Sequence, residues 1–353
     1  MEMLLLPSDR NSKAPNRQEE GIMRIGIITL TLSTALLFST AGFADDNTAD
    51  VDQSGNDNLI SVTQVGDSSV SITQNGDHNI VTIDQHRADA LVVQQDSSQA
   101  MATIIQENSQ GWQDWVPFHL LQVNSTNVTA DLNFTNYASQ LFLHQEGSNL
   151  QFVAVDNGER FKVWAMSDGN GQFGTNNSAL LTNRGCCDDD NRVTFRQDGE
   201  SNVVESTQTF YFSEITLDQS GELNTIFVQD DGHTWTTVIQ TGVSNLIDLL
   251  LDGDASITLD QSGTENSIMG VLDSIFHYSI SQSGNLNLMI LDINNGWSAL
   301  VGENILTQTG DSGIISLTQN GGGLSAELTQ TGVGNSMDIN QTGTSNHVEV
   351  TQN

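Results

Sequence analysis

Residues 330–352 read QTGVGNSMDINQTGTSNHVEVTQ and contain two copies of one pattern, which begin at Gln330 and Gln341. Each copy opens with Gln-x-Gly-x-x-Asn and continues as a short run in which apolar and polar residues alternate. Alternation with period two is typical of a β-strand with one buried face. The glycine is a turn residue that adopts positive φ without a Cβ clash. The stretch therefore predicts a strand, a turn and a second strand.

The same pattern recurs through much of the chain. Copies from Gln197 to Gln282 follow one another at intervals of about 22 residues, as expected of a solenoid repeat. Copies from Gln308 to Gln352 follow at intervals of about 11 residues, so the shorter interval is half of one repeat. The predicted structural ladder consists of Gln53, Gly55, Asn58, Gln64, Gly66, Gln74, Gly76, Asn79, Gln85, Gln197, Gly199, Asn202, Gln219, Gly221, Asn224, Gln240, Gly242, Asn245, Gln261, Gly263, Asn266, Gln282, Gly284, Asn287, Gln308, Gly310, Gln319, Gly321, Gln330, Gly332, Asn335, Gln341, Gly343, Asn346 and Gln352.

One repeat makes two strands and two turns, which is too thin to bury a core alone. Stacked rungs about 4.7–4.8 Å apart would place glutamine over glutamine and asparagine over asparagine, so that their amides hydrogen-bond along the stack. Asn58, Ile60, Val62 and Gln64 share one face and represent the buried side of such a strand. The sequence thus predicts an all-β fold, a β-solenoid of two-strand rungs with about 22 residues per rung.

The two turns of each rung differ between Gln197 and Ile293. The turn with Gln-x-Gly-x-x-Asn is strongly specified. The other has Asp230-x-Gly232 and Leu251-x-Gly253 at the corresponding positions, and Leu272 lacks a following glycine. We expect one edge of the solenoid to be specified by side-chain amides and the other to be degenerate.

Four segments follow from the pattern. Residues 1–44 form an upstream extension and a signal peptide, with Met23 as the expected start, because a basic residue, an apolar run and a small-residue cleavage site follow it. Residues 45–85 and 197–353 hold regular repeats. Residues 86–196 hold degenerate rungs with a loop insertion at 167–191, and a small independently folded insert is the alternative. Period-two pieces at Leu91-Val93-Gln95, Leu141-Leu143-Gln145 and Phe152-Ala154-Asp156 favour rungs.

Charge and cysteine content exclude several classes of protein. The chain has 44 acidic and 10 basic residues and a net charge of −34, so nucleic acid is not an expected partner, because phosphate binding requires clustered Lys and Arg. No second long apolar run predicts a membrane span. Adjacent Cys186 and Cys187 exclude a disulfide framework, and a metal site there would lack a second ligand pair.

We predict no catalytic, cofactor-binding or metal-binding residue. Gly310-Asp-Ser312-Gly313 resembles the surroundings of a protease nucleophile but falls at a turn of the repeat. The seven histidines show no metal-binding spacing, and Asp252-Gly-Asp254 lacks the full calcium-loop pattern. Trp235 and Trp297, with residues 210–212, form either an exposed adhesive strip or part of the core.

The Gln-x-Gly-x-x-Asn pattern, with its full period and half-period, resembles the curlin repeats of curli fibre subunits. The match covers Gln53–Gln85 and Gln197–Gln352. The resemblance implies a secreted protein that passes through the outer-membrane curli secretion machinery and self-associates into amyloid-like fibres, or pili, with other curlin-like subunits. It also implies a place on the extracellular cell surface and a role in adhesion and biofilm matrix.

Departures from the family leave the role within a fibre open. The serine that opens alternate family strands survives mainly as Ser213, and the small residue after the asparagine is mostly Ile, Val or Leu. A major subunit, a nucleator and an accessory subunit all remain compatible. A β-solenoid adhesin that stays monomeric is the second function class, and an enzyme on a β-helix scaffold is the third. We expect the last rung, which runs to Gln352, to dock onto another subunit.

Overall fold

A computed structural model describes residues 35–40, 47–107, 116–135, 138–157, 160–165, 171–184, 191–209, 212–275, 277–295, 304–321, 325–343 and 347–353. These residues form β-strands and turns, and none of them is helical. The strands are β1 Ala35–Thr40, β2 Asn47–Ser54, β3 Leu59–Asn75, β4 His78–Gln95, β5 Gln99–Glu107, β6 Val116–Thr126, β7 Val128–Phe134, β8 Ala138–Ser148, β9 Gln151–Asp156, β10 Arg160–Ala165, β11 Phe173–Thr175, β12 Ser178–Asn183, β13 Asn191–Gln197, β14 Val204–Gln208, β15 Phe212–Gln219, β16 Ile226–Asp231, β17 His233–Gln240, β18 Ile247–Asp252, β19 Ser256–Gln261, β20 Ile268–Asp273, β21 His277–Gln282, β22 Leu288–Asn295, β23 Ile305–Thr309, β24 Ile314–Gly321, β25 Ser325–Thr331, β26 Ser336–Thr342 and β27 His347–Gln352.

The strands pair in parallel to form two ladders. The first ladder joins β1, β3, β4, β5, β7 and β9 and then the even-numbered strands from β12 to β26. The second joins β2, β3, β4, β6, β8, β10 and β13 and then the odd-numbered strands to β27, while β11 also pairs with β8. Strands β3 and β4 are long enough to belong to both ladders. The chain therefore winds as a β-solenoid, and the predicted fold class is confirmed.

The register of the pairing matches the sequence period. Gln197 lies beside Gln219, which is 22 residues later in the chain, and Gln219 lies beside Gln240, which is 21 residues later again. Because register is kept over successive rungs, the side chain at each position stacks on the same position of the next rung. Each column of the stack is thus a vertical row of equivalent residues.

The core lies between the two ladders and follows the alternation within each strand. In β16, Ile226 and Val228 are buried, Phe227 is half-buried and Gln229 is exposed. The inward side chains form one continuous apolar cluster from Ala49 to Leu328, since every rung adds its inward residues to those of the rung before. The core is therefore long and narrow, and stacking rather than any single rung buries it.

The ladders continue through the degenerate middle of the chain. Strand β12 lies inside the predicted loop insertion at 167–191, yet it pairs with β9 on one side and β14 on the other. That part of 167–191 is a rung and not an inserted loop. Its buried residues Ala179 and Leu181 supply the alternation, which the surrounding Gly, Asn and Asp residues obscure in the sequence.

One inward face in the middle region was assigned to the wrong residues. The sequence pattern placed Leu91, Val93 and Gln95 on one face of a strand, and in the structure the buried face consists instead of Val92 and Gln94, while Gln95 is exposed. Side chains switch faces with every residue, so a shift of one position reverses the whole strand. The glutamine that continues the repeat is thus Gln94.

The N-terminal part of the ladder includes a strand from the predicted signal peptide. Strand β1 pairs with β3, with Ala35 beside Leu59. Pairing is unbroken across the predicted segment boundaries, because β4 pairs with β6 and β13 with β15. Cys186 and Cys187 lie outside the described residues.

The chain reverses direction in two kinds of turn, which differ in the residue that has positive φ. At Gly55 and Gly76 the glycine itself has positive φ, as expected. In the Gln-x-Gly turns from Gly199 to Gly284 the residue after the glycine takes this conformation instead, including Val243 with φ 98° and Thr264 with φ 104°. Such values strain residues branched at Cβ.

Candidate assembly surfaces and side-chain ladders

One edge of the solenoid carries a continuous row of glutamines, which we name the Gln column. Twelve steps of this row are fixed by strand register or by a side-chain hydrogen bond. Its members are Gln53, Gln74, Gln94, Gln122, Gln145, Gln172, Gln197, Gln219, Gln240, Gln261, Gln282, Gln308, Gln330 and Gln352. Four of them, from Gln94 to Gln172, were absent from the predicted ladder.

Side-chain amides connect neighbouring members of the Gln column. Gln122 Nε2 donates to Gln94 Oε1 at 2.6 Å, and Gln145 Nε2 donates to Gln122 Oε1 at 2.7 Å. The same amides reach backbone carbonyls inside the turn, as Gln94 Nε2 does to Met101 O at 3.1 Å. These glutamines therefore form hydrogen bonds both with their neighbours in the column and with the buried turn backbone.

The direction of these hydrogen bonds reverses once along the column. Up to Gln172 each glutamine donates to the preceding rung, whereas from Gln197 to Gln240 each donates to the following rung. Neither Gln172 Oε1 nor Gln197 Oε1 has a hydrogen-bond partner among the described residues. Two amide chains of opposite polarity thus meet at this step, which breaks the otherwise continuous ladder.

Asparagines form a second row beside the Gln column. Asn224, Asn245 and Asn266 each donate through Nδ2 to the Oδ1 of the preceding asparagine, at 2.9, 2.9 and 2.7 Å. Asn224 Nδ2 also donates to the carbonyl of Ser220, four residues earlier, at 2.6 Å. The asparagine therefore closes its own turn and links it to the next rung.

The asparagine row is replaced in the middle of the chain. Register places Ala100, Val128 and Leu150 at its inner positions, where they form a separate buried apolar cluster. Outside this cluster, Asn149 Nδ2 donates to Asn127 Oδ1 at 2.8 Å, and Asn176 Nδ2 donates to Asn149 Oδ1 at 2.7 Å. All three asparagines have positive φ. The amide ladder has thus moved from the inside of the turn to its surface.

The opposite edge of the solenoid carries a mixed row, which we name the second-edge column. Backbone register gives its members in order as Gln64, Gln85, Gln106, Phe134, Asp156, Asn183, Gln208, Asp230, Leu251, Leu272, Ile293, Gln319 and Gln341. The column changes from amides to charged and polar residues and then to aliphatic residues. At its end Gln341 Nε2 donates to Gln319 Oε1 at 2.5 Å.

A buried tyrosine supports the end of this column. Gln319 Nε2 donates to Tyr278 Oη at 2.8 Å. Burial raises the pKa of the Tyr278 hydroxyl, although the hydrogen bond from Gln319 lowers it in part. The phenol therefore remains neutral and acts as a hydrogen-bond acceptor between the two ladders.

The last described rung leaves the inward side chains of its strands uncovered. Val350 is 46 % exposed, although Leu328, its register partner in the preceding rung, is 0 % exposed. Met337 and Ile339 of β26 are only partly buried. In the described structure β26 pairs with β24 and β27 with β25, each along one edge. This rung presents apolar side chains and free backbone groups in the direction of stacking.

Ser312, Asp254 and Trp235, which the sequence analysis weighed as candidate functional residues, lie in turns or on the outer surface of the solenoid. Ser312 is in a turn, where its amide donates to Asn285 O at 2.9 Å. Asp254 pairs with His233 at 3.2 Å. Trp235 is exposed on the outer surface, whereas Trp297 lies outside the described residues.

The described residues contain neither a metal-binding cluster nor a membrane-spanning helix. No group of three or more His, Cys, Asp or Glu side chains is placed to hold a metal ion in the described ranges. A helix long and apolar enough to cross a membrane is likewise not found in that part of the chain.

Comparison with known families identifies the repeat. A family model described as curlin associated repeat matches residues 44–69, which include Gln53, Gly55 and Asn58. The chain thus contains a curlin associated repeat. Neither the curated proteins nor the solved structures contain a match to it. The described part of the match includes β2 and most of β3, so this curlin repeat coincides with the start of the regular ladder.

Proposed function

We propose that this curlin-repeat protein is a secreted subunit of extracellular curli-like fibres and that subunits join through their end rungs. The observation that carries the proposal is the exposure of Val350 beside fully buried Leu328. Another rung stacked on β26 and β27 would bury these side chains and pair the free backbone groups. Burial of apolar surface contributes about 25 cal/mol per Å², and open strand edges recruit further strands.

The sides of the solenoid support adhesion and biofilm matrix as the roles of such a fibre. Leu250, Val271 and Ile290 lie exposed on the outer face of the first ladder, and Trp235 lies exposed on the second. Exposed apolar groups of this kind bind surfaces or other proteins. They equally suit the alternative function of a monomeric β-solenoid adhesin, so fibre growth decides between the two.

The test is fibre growth by residues 45–353, the predicted mature chain, in physiological salt. Thioflavin-T fluorescence should rise, and the product should give reflections near about 4.7 and about 10 Å. Val350→Asp should slow growth, because it places a charge on the surface that a docking rung would cover. Thr351→Asp is the matched control, because it adds the same charge at the neighbouring exposed position.

Three results would contradict the proposal. Growth of Val350→Asp at the rate of the unsubstituted protein would show that the end rung is not the docking surface. Equal slowing by both variants would show that the charge acts without regard to the rung. A chain that stays monomeric and dye-negative, even with preformed fibre seeds, would favour the monomeric adhesin.

A further inference from the structure

Four consecutive positions of the second-edge column hold polar side chains inside the core. Asp156, Asn183, Gln208 and Asp230 are register partners on β9, β12, β14 and β16. Their exposed fractions are 0, 0, 0 and 1 %. The neighbouring members of the column are apolar, with Phe134 before Asp156 and Leu251 after Asp230. We name these four residues the polar column.

Three members of the polar column, Asn183, Gln208 and Asp230, have polar atoms without a hydrogen-bond partner among the described residues. Neither carboxylate oxygen of Asp230 has a hydrogen-bond partner among the described residues, and neither does Gln208 Oε1. Both polar atoms of Asn183 are also without one. Gln208 Nε2 donates to Ser206 Oγ at 3.2 Å. Buried polar atoms are almost always paired, and the unpaired atoms of Asn183, Gln208 and Asp230 comprise four acceptor oxygens but one donor nitrogen, so these residues need an additional donor.

The order of groups in the column explains the missing donor. Along a stack each amide offers a donor toward one neighbour and an acceptor toward the other. Two amides that hydrogen-bond to each other between two ionised carboxylates can direct donors to only one end, and at the other end an amide oxygen faces a carboxylate. A proton on one terminal carboxyl converts that contact into an O–H···O hydrogen bond. Each member of the column after Asp156 can then donate a hydrogen bond to the member before it.

Asp230 is the end suited to hold this proton. Burial and, to a smaller extent, the charge of Asp231 together raise the pKa of Asp230 to about 8, although the backbone N–H of Asp231, which is not within hydrogen-bond geometry of the carboxylate, lowers this pKa in part. Gln208 Oε1, at the adjacent position, is a free acceptor for the protonated carboxyl. A neutral Asp230 would donate to Gln208 Oε1, and Gln208 Nε2 could then donate to Asn183 Oδ1.

The remaining titratable groups nearby point away from the core. They lie on β14 and β18, which pair with β16, on β15 and β17 of the opposite ladder, and on β16 itself. All occupy half-buried or exposed positions of the strand alternation, and none lies in the polar column. These groups are Glu205, Glu214, Asp218, Asp231, His233, Asp248 and Asp252.

We propose that the polar column is a proton-binding site that holds one proton on Asp230 in the folded chain and releases it in alkaline solution, weakening the second edge between β12 and β18. This property belongs to the single subunit and does not depend on fibre formation. It gives the fold a built-in sensitivity to alkaline conditions.

The direction of the pH effect follows from proton binding in the two states. The pKa of Asp230 is about 8 in the folded chain and 3.8 is its ordinary value. Between these values the folded chain holds a proton that the unfolded chain has lost. Stability is therefore highest in acid and falls as the pH rises through this window, with the unfolding constant increasing about tenfold per pH unit from this group alone.

The experiment compares pH dependence in three chains spanning residues 45–353. Guanidinium unfolding of the monomer is measured from about pH 5 to about pH 9. Asp230→Asn should remove about one proton from the slope, since an amide cannot ionise. Asp231→Asn, the exposed neighbour, removes a charge from the same strand end and should keep nearly the full slope. Carboxyl-carbon NMR of the unsubstituted protein should show Asp230 neutral at pH 7.

Three results would overturn the proposal. An ionised Asp230 at pH 7 in the NMR spectrum would contradict it directly, even if the variants failed to fold. An unchanged slope in Asp230→Asn would place the linked proton elsewhere. Stability at pH 7 that falls on addition of EDTA would show that a metal ion, and not a proton, occupies the column.

Discussion

Replacing Gln122 tests the Gln column where the repeat motif is absent from the sequence. Gln122 is fully buried between Gln94, at 2.6 Å, and Gln145, at 2.7 Å. Its Nε2 also lies 3.4 Å from the carbonyl oxygens of Ala100 and Thr129. Leucine has a similar volume, so Gln122→Leu removes the amide without opening a large cavity.

The cost follows from the atoms that lose a partner. Gln94 Oε1 loses the donor and Gln145 Nε2 loses the acceptor that Gln122 supplies. Each buried group left without a partner costs about 1–3 kcal/mol. Burial of the additional apolar surface of leucine stabilises the variant by about 1–2 kcal/mol. We expect Gln122→Leu to lower the free energy of unfolding by about 3 kcal/mol, a large part of the stability of most domains.

The assay is guanidinium unfolding of residues 45–353, followed by circular dichroism under conditions in which the chain remains monomeric. Gln95→Leu is the matched control, because Gln95 is an exposed glutamine in the preceding rung. It should change stability by less than about 0.5 kcal/mol. If Gln122→Leu were as stable as Gln95→Leu, the amide ladder would not stabilise the middle rungs, and our account of the Gln column there would be wrong.

Two further predictions concern the turns and use the same unfolding assay. Gly76→Ala should destabilise the chain by about 2 kcal/mol or more, because the new Cβ would lie 2.1 Å from Gly55 O at a φ of +135°. Gly263→Ala, which meets nothing within 4 Å, should be close to neutral, and equal losses in both variants would contradict this reasoning. Thr264→Gly should stabilise by about 1 kcal/mol, because it relieves strain of about 1–3 kcal/mol at a cost in chain entropy of about 0.5–1 kcal/mol. Thr258→Gly, in the middle of β19, should destabilise, and a loss of stability in Thr264→Gly would show that the turn is unstrained.

The regular repeats could be recognised from the sequence because two independent signals coincide there. The glutamine, glycine and asparagine mark one turn, and the alternation of residues such as Ile60 and Val62 marks the strand. Both signals are local. They therefore predict the strands, the inward face and the rung length without knowledge of any distant contact.

The position of β1 shows where local signals compete. An apolar run with a small-residue boundary predicts a signal peptide, yet Ala35–Thr40 also has the length and composition of a strand and pairs with β3. The same residues therefore fit both a signal peptide and a β-strand. Cleavage before Asp45, which the signal-peptide pattern predicts, would remove β1 from the chain.

The sequence by itself determined the all-β solenoid, its period and the amide columns of the regular repeats, because these depend on spacing along the chain. Only the tertiary structure decided the middle of the molecule, where successive members of the Gln column are 20, 28, 23 and 27 residues apart. Because the rungs differ so much in length, the repeat has no constant period in the sequence. Parallel strand pairing nevertheless places these glutamines next to one another in the structure. The polar column arises in the same way, because Asp156 and Asp230 become parts of one site only through the register of strands between them.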